Sequence, residues 1–339
     1  MSSLVDVTGL GNAIVDVLGQ VSDAFLVENK LTKGTMALID EARAAELYGR
    51  MGQCVEISGG SCANTMVGIA SLGGRAAYIG KVRNDALGDA FTADIRRAGV
   101  HFNVPPLTSG PTTARCLIAV SPDAQRTMST FLGASRELGP DAIDEDLIRG
   151  SQIVYMEGYL WDPPAAKEAF LKASRVAELA GRKSALTLSD PFCVERHRTE
   201  LLKLVDENVD ILFANEVEIC ALYQVETFEE AERAVRGRCE IAVLTRSERG
   251  SVIVTKDESV RVPVSPVSKV VDTTGAGDLY AAGFLYGITQ GTSLARAGEL
   301  GAICAAEVIS HVGARPEASL SALVASSALV AGSAQRAAV

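Results

Sequence analysis

Short runs rich in β-branched and aliphatic residues recur along this chain, with longer amphipathic stretches between several of them. That alternation limits the fold more than any other feature. The β-rich runs cover about 4–10, 76–79, 117–120, 153–156, 185–188, 211–214, 241–245 and 251–255, and stretches of helical periodicity lie near 63–72, 87–98, 165–180 and 228–235. Strands separated by helices are joined by right-handed crossovers, which build a mostly parallel sheet covered by helices on both faces. Several runs are apolar without alternation, as burial on both faces demands. The expectation is a three-layer α/β/α fold. Two segments, about 17–57 and 104–131, break the rhythm: they are richer in Thr, Pro and Gly, with strand-like pieces and little helix. They read as one small β appendage inserted twice into a single α/β body spanning 1–316, followed by an Ala/Ser-rich helix or tail over 317–339.

Charge and cysteine usage narrow the function. A net charge of −10 over 339 residues gives a surface that repels phosphate backbones and anionic lipid, which argues against nucleic acid and membrane partners. The uncharged stretch 318–335 is long enough to span a bilayer, but its serines and alanines make it a marginal surface helix. The seven cysteines are odd in number and scattered, no two in a C-x-x-C spacing, so a disulfide framework and a zinc site are both disfavoured. With no basic n-region and apolar h-region at the start, a reducing, cytoplasmic setting is expected. An anionic ligand must then be held by local backbone amides or a few placed cations.

One stretch offers such a device. Val270-Val271-Asp272-Thr273-Thr274-Gly275-Ala276-Gly277-Asp278 leads into a helical segment, 279–290. Its glycines let the backbone turn sharply and present N–H groups beside the positive end of a helix, an anion cradle. A carboxylate there would repel a bound phosphate. Asp278 therefore reads as a base that takes a proton from an attacking alcohol, against the plainer alternative of a helix N-cap.

The same nine residues resemble the C-terminal signature of the ribokinase-like, PfkB-type carbohydrate and nucleoside kinases. Ser58-Gly59-Gly60-Ser61-Cys62-Ala63-Asn64, followed by Gly73-Gly74 and Asp85, resembles that family's N-terminal signature, and the likeness spans about 4–316. Within the family, Gly11-Asn12-Ala13-Ile14-Val15-Asp16 is closest to adenosine kinases. The resemblance implies a ribokinase-like fold whose β appendage is a lid over the cleft, and a transfer of the γ-phosphate of ATP to a primary hydroxyl. The acceptor is a nucleoside, adenosine favoured, or a sugar such as ribose or a ketohexose. It implies that Asn12, Asp16, Gly60 and Asn64 hold this substrate and that Asp278 is the base. The amides of Gly275, Ala276 and Gly277, with Arg126, would stabilise the transferring phosphoryl, although Arg136 lies close enough in sequence to compete.

Asn215-Glu216-Val217-Glu218 matches the family's N-x-x-E motif, which assigns Glu218 to Mg2+ and Asn215 to the nucleotide; read alone, the pair is a plain helix cap. Thr245 to Gly250 matches a loop laid along the nucleotide, with Thr245, Gly250 and also Thr274 as cofactor-binding positions, and a polar hairpin turn is its bland alternative. Activation by K+ would involve backbone near 272–274 and 310–313. Tyr159 and Trp161 border the cleft or, more simply, pack in the core. Monomer and homodimer are both compatible with such a lid. Two rivals are weaker. An NAD-dependent oxidoreductase would need a third glycine where Ile14 stands, and a non-catalytic sensing relative would not need Asp278.

Overall fold

The computed structural model describes residues 5–123 and 125–327. In chain order its strands are β1 (Val5–Leu10), β2 (Ile14–Gln20), β3 (Met36–Leu38), β4 (Val55–Gly59), β5 (Ala76–Ile79), β6 (His101–Phe102) and β7 (Ala114–Val120). There follow β8 (Arg126–Phe131), β9 (Ser151–Glu157), β10 (Lys183–Thr187), β11 (Ile211–Asn215), β12 (Ile241–Thr245), β13 (Ser251–Val254) and β14 (Ser259–Val262). Nine of them form one sheet in the order β14-β13-β12-β11-β10-β9-β1-β5-β6. It is parallel from β12 to β6, and only the β12–β13 and β13–β14 pairs are antiparallel. Alternate residues of β9 show the two-sided burial: Ile153 and Tyr155 enter one core, with Phe213 and Phe284, and Val154 and Met156 enter the other, with Leu186 and Phe170. The three-layer expectation holds.

The chain turns from β1 to β5 and β6 on one side and to β9 and beyond on the other. In open α/β sheets the crevice at such a reversal, outside the carboxyl ends of the strands, is where ligands bind. The second sheet, β3-β8-β7-β2-β4, stands over this crevice. In β2 the buried residues Val15 and Val17 alternate with Ile14 and Asp16, which face the cleft.

The segment read as having little helix contains two, Asp23–Glu28 and Glu41–Arg50. Both start at good caps: Ser22 accepts from the Phe25 amide and Asp40 from the Arg43 amide, and Ala44 and Leu47 supply a buried face. Helix Pro191–Asn208 also escapes the sequence pattern, since its polar residues mask a short apolar stripe. No helix of the described residues is long and apolar enough to cross a membrane. In the C-terminal segment Leu320 is buried and its amide donates to Ser71 Oγ, and residues 328–339 of the expected helix or tail lie outside the described residues.

Candidate active site

Two helix starts meet at the mouth of the crevice. Helix Ser61–Ser71 begins after Gly60, whose φ of +96° suits glycine and whose added Cβ would lie 2.3 Å from the carbonyl oxygen of Asn12. Helix Ala276–Thr289 begins after Gly275 (φ +79°), where a Cβ would strike Ala314 Cα at 2.8 Å. The helices cross closely because Gly68 lies against Ala282 and Leu279.

Asp278 stands in the first turn of the second helix and reaches across to the first. Its Oδ1 accepts from Ser61 Oγ at 2.7 Å and its Oδ2 from Asn64 Nδ2 at 2.9 Å. It is therefore not an N-cap; that position is held by Gly275, without a side-chain bond. Burial raises the Asp278 carboxyl above its ordinary range, opposed by these two donors and by the charge of Arg315. The amides of Gly275 and Gly277 have no protein acceptor among the described residues, whereas the Ala276 amide donates to Thr273 O at 3.2 Å. The cradle thus has two free donors where the motif proposes three.

A cleft of 740 Å³ gathers most of the sequence candidates: Asn12, Asp16, Gly60, Asn64, Asn215, Glu218, Thr245, Thr274, Gly275, Ala276, Gly277 and Asp278 all line it. Asp16 faces it from β2 with no hydrogen-bond partner among the described residues, and burial pushes its carboxyl up to about 6. The small sheet lines the cleft with apolar side chains, Met36 and Leu38 from β3 and Met128 from β8, and the largely exposed ring of Phe192 lines it too. Tyr159 lines it as well, while Trp161 is buried and donates to Glu200 at 2.8 Å.

A model of the pfkB carbohydrate kinases matches residues 33–320. The chain belongs to this family. The pfkB kinase is similar to the adenosine kinase of Sinorhizobium meliloti, at 52% identity over 95% of this chain and 99% of that one, with a TM-score of 0.88. It is similar also to a probable sugar kinase of Rhizobium etli, at 49% identity, 96% and 99% coverage and a TM-score of 0.89. The adenosine kinase of Saccharomyces cerevisiae is 26% identical over 327 residues, 90% of this chain and 94% of its own. As a pfkB kinase the protein is a phosphotransferase that uses ATP and a small-molecule acceptor.

Several candidates in this kinase sit differently from their motif assignments. Gly250 does not line the cleft; it closes the β12–β13 hairpin, with a would-be Cβ 2.1 Å from the Val262 carbonyl oxygen. The rest of that loop is pinned away from the cleft, with Arg246 stacked 3.8 Å over the Phe228 ring and ion-paired to Glu216. Only Thr245 reaches inward. Arg126 also lies outside the cleft lining, its guanidinium bound to Asp272 and 3.1 Å from Thr274 Oγ1, and Arg136 is exposed.

The family implies two cations, Mg2+ and K+. Asn215 and Glu218 form a full capping box on helix Glu216–Tyr223, yet both line the cleft. Burial, with Asp190 nearby, raises Glu218 to about 7. Asp16, Glu157, Asp162, Asp190, Glu218 and Asp278 face Arg196 alone among lining cations, so a polyphosphate needs a counter-cation here. A hydrated Mg2+, which takes one or two carboxylates plus phosphate oxygens, fits Glu218 and Asp190. The backbone stretches 272–274 and 310–313 expected to serve K+ are tied together by the Asp272 carboxylate, which accepts from Thr274, Gly313 and the Arg126 guanidinium.

Two residues escape sequence reading. Glu157, ending β9 beside β1, accepts from the Cys62 amide at 2.9 Å and from Asn12 Nδ2 at 2.8 Å, so it holds both the turn and Asn12. Arg315 donates to the carbonyls of Ser58 and Ala63. An acidic residue ending an apolar strand run is the one local hint of the first; the second carries none.

Proposed function

We propose that this kinase phosphorylates the 5′-hydroxyl of a purine nucleoside, adenosine above others. The observation that carries the reading is the Asp16 carboxylate, without a hydrogen-bond partner among the described residues, lining one cleft with the apolar Met36, Leu38 and Met128 and with the Asp278 carboxylate. A carboxylate accepts from two vicinal hydroxyls at once, which suits a ribose 2′,3′-diol. Met36, Leu38, Met128 and Phe192 offer apolar area that a base would cover and a free sugar would leave wet. The similarity to adenosine kinases at up to 52% identity supports the same choice.

In this mechanism Asp16, the Gly60 turn and Asn12 fix the ribose with its primary hydroxyl towards Asp278. Asp278, desolvated and held by Ser61 and Asn64, accepts the hydroxyl proton as the oxygen attacks the γ-phosphorus. The free amides of Gly275 and Gly277 meet the charge on the transferring phosphoryl oxygens. Mg2+ held near Glu218 and Asp190 would neutralise phosphate charge. The small sheet acts as a lid, carrying Asp16, Met36 and Leu38 over the acceptor and keeping water from the phosphoryl group. Arg126 ties that lid to the cradle loop through Asp272 and Thr274. The test is initial-rate turnover with adenosine, inosine, ribose and fructose under saturating MgATP. Adenosine should lead; turnover of ribose or fructose a hundredfold above adenosine would overturn the nucleoside assignment.

A further inference from the structure

Arg315 lies outside both signature motifs, yet it is a half-buried cation at their junction. Its Nε donates to the Ser58 carbonyl at 2.9 Å, its Nη1 to the Ala63 carbonyl at 3.1 Å, and its Nη2 to Ser58 Oγ at 2.9 Å. Ser58 Oγ donates onward to Asp94 Oδ2 at 2.7 Å. The guanidinium therefore spans the turn from Ser58 into helix Ser61–Ser71, gripping the residue before Gly59-Gly60 and the carbonyl of Ala63, the third residue of that helix. That turn carries Ser61 and Asn64, the two donors on Asp278, and Gly59 packs against Asp16, where a Cβ would lie 2.4 Å from Oδ2. A planar, five-donor guanidinium can make this three-point contact; an ammonium makes one or two.

We propose that Arg315 is the positioning residue of phosphoryl transfer: its fork fixes the Ser58–Asn64 turn, and its positive charge supports the Asp16 and Asp278 carboxylates that this turn packs against and hydrogen-bonds. This rests on the reading of Asp278 as the base. The groups around the guanidinium are Asp16 from β2, Tyr78 from β5, Asp94 from helix Ala86–Arg97 and Asp278 from helix Ala276–Thr289. Arg126 adds a second positive charge towards Asp16, and Glu157 a negative one towards Asp278. Burial lowers Arg315 itself to about 10, so it remains a cation through the neutral range. Its field opposes the desolvation that raises both carboxyls.

The experiment compares Arg315→Met and Arg315→Lys with wild type and Asp278→Asn, measuring kcat and acceptor KM from pH 5 to 9, with a melting curve for each. In Arg315→Met the acid limb of kcat should move up by about one pH unit, the order expected for removing one nearby charge at an effective dielectric of ~20. Acceptor KM should rise at least fivefold more at pH 6 than at pH 8, as Asp16 takes up a proton. Arg315→Lys keeps the charge but loses the fork, so its acid limb should stay in place while kcat falls about three- to tenfold. A folded Arg315→Met with an unmoved limb overturns the proposal. If that variant does not fold, Arg315→Lys decides: a wild-type kcat overturns it, and a lowered kcat with an unmoved limb supports it. Near wild-type turnover in Asp278→Asn would instead sink the base reading on which it rests.

Discussion

Replacing Glu157 with Gln changes one buried charge at the centre of the site and leaves its shape intact. Burial carries this carboxyl from its ordinary 4.5 to about 7, against the pull of the Cys62 and Asn12 donors. Because the folded-state value lies above the unfolded one, the native state holds its proton longer than the unfolded chain does. Glu157 therefore costs nothing below pH 4.5, where both states are protonated. It destabilises progressively as pH rises to about 7, by about 3 kcal/mol at the plateau. Glutamine has no such dependence. At pH 5 the protonated carboxyl can still accept on both oxygens, whereas the glutamine amide turns an NH2 on to the Cys62 or the Asn12 donor, so the variant should be the less stable of the two there. Between pH 5 and pH 8 the stability gap should move in the variant's favour by about 2.5 kcal/mol. Urea unfolding of both proteins at pH 5 and pH 8 measures this difference directly, and the other buried carboxyls cancel in the comparison. A stability gap that is the same at both pH values would refute the claim that Glu157 is a desolvated carboxyl.

The remaining predictions concern the cleft. Asp16→Asn should raise acceptor KM by ~10- to 100-fold, the loss of about one charged hydrogen bond, with a smaller change in kcat; an unchanged KM would remove Asp16 from the substrate. Gly275→Ala must hold φ near +79° and crowd Ala314, so thermal unfolding should show a loss of about 1–3 kcal/mol, and kcat should fall as the cradle amides shift. Arg126→Met leaves Asp272 without its cation, which should cost about 3 kcal/mol in urea unfolding and raise the KM for ATP; wild-type stability would show that the ion pair carries nothing.

Much of the architecture was legible because it is periodic. Helices expected at 63–72, 87–98 and 165–180 occur at Ser61–Ser71, Ala86–Arg97 and Pro164–Leu179. What was missed is what periodicity does not carry: Glu41–Arg50, announced only by Asp40 and a two-residue apolar face, and the nine-stranded sheet's edge strand β14. In the site the motifs pointed to Asp278, Asn64 and the glycines, since backbone turns and helix starts leave a local imprint. Glu157 leaves only the hint of an acidic residue ending an apolar run, and Arg315 leaves none. Their partners are contributed by packing, Cys62 lying 95 residues from Glu157 and Ser58 lying 257 from Arg315. Gly250 has a local reason to be glycine, the hairpin turn, so its place in the motif does not by itself mark a ligand contact.

The central claim is that Asp278 accepts the proton of the attacking hydroxyl, and the most direct measurement is kcat together with ATP affinity on one folded preparation of Asp278→Asn. Asparagine keeps the size and can still accept from Ser61, but it carries no negative charge and cannot take the proton. Turnover should fall by ~10²–10⁴-fold. ATP affinity should hold or tighten, since a carboxylate beside the cradle has been neutralised, and the melting curve should stay intact. A variant that melts normally, binds ATP and turns over near the wild-type rate would contradict the account.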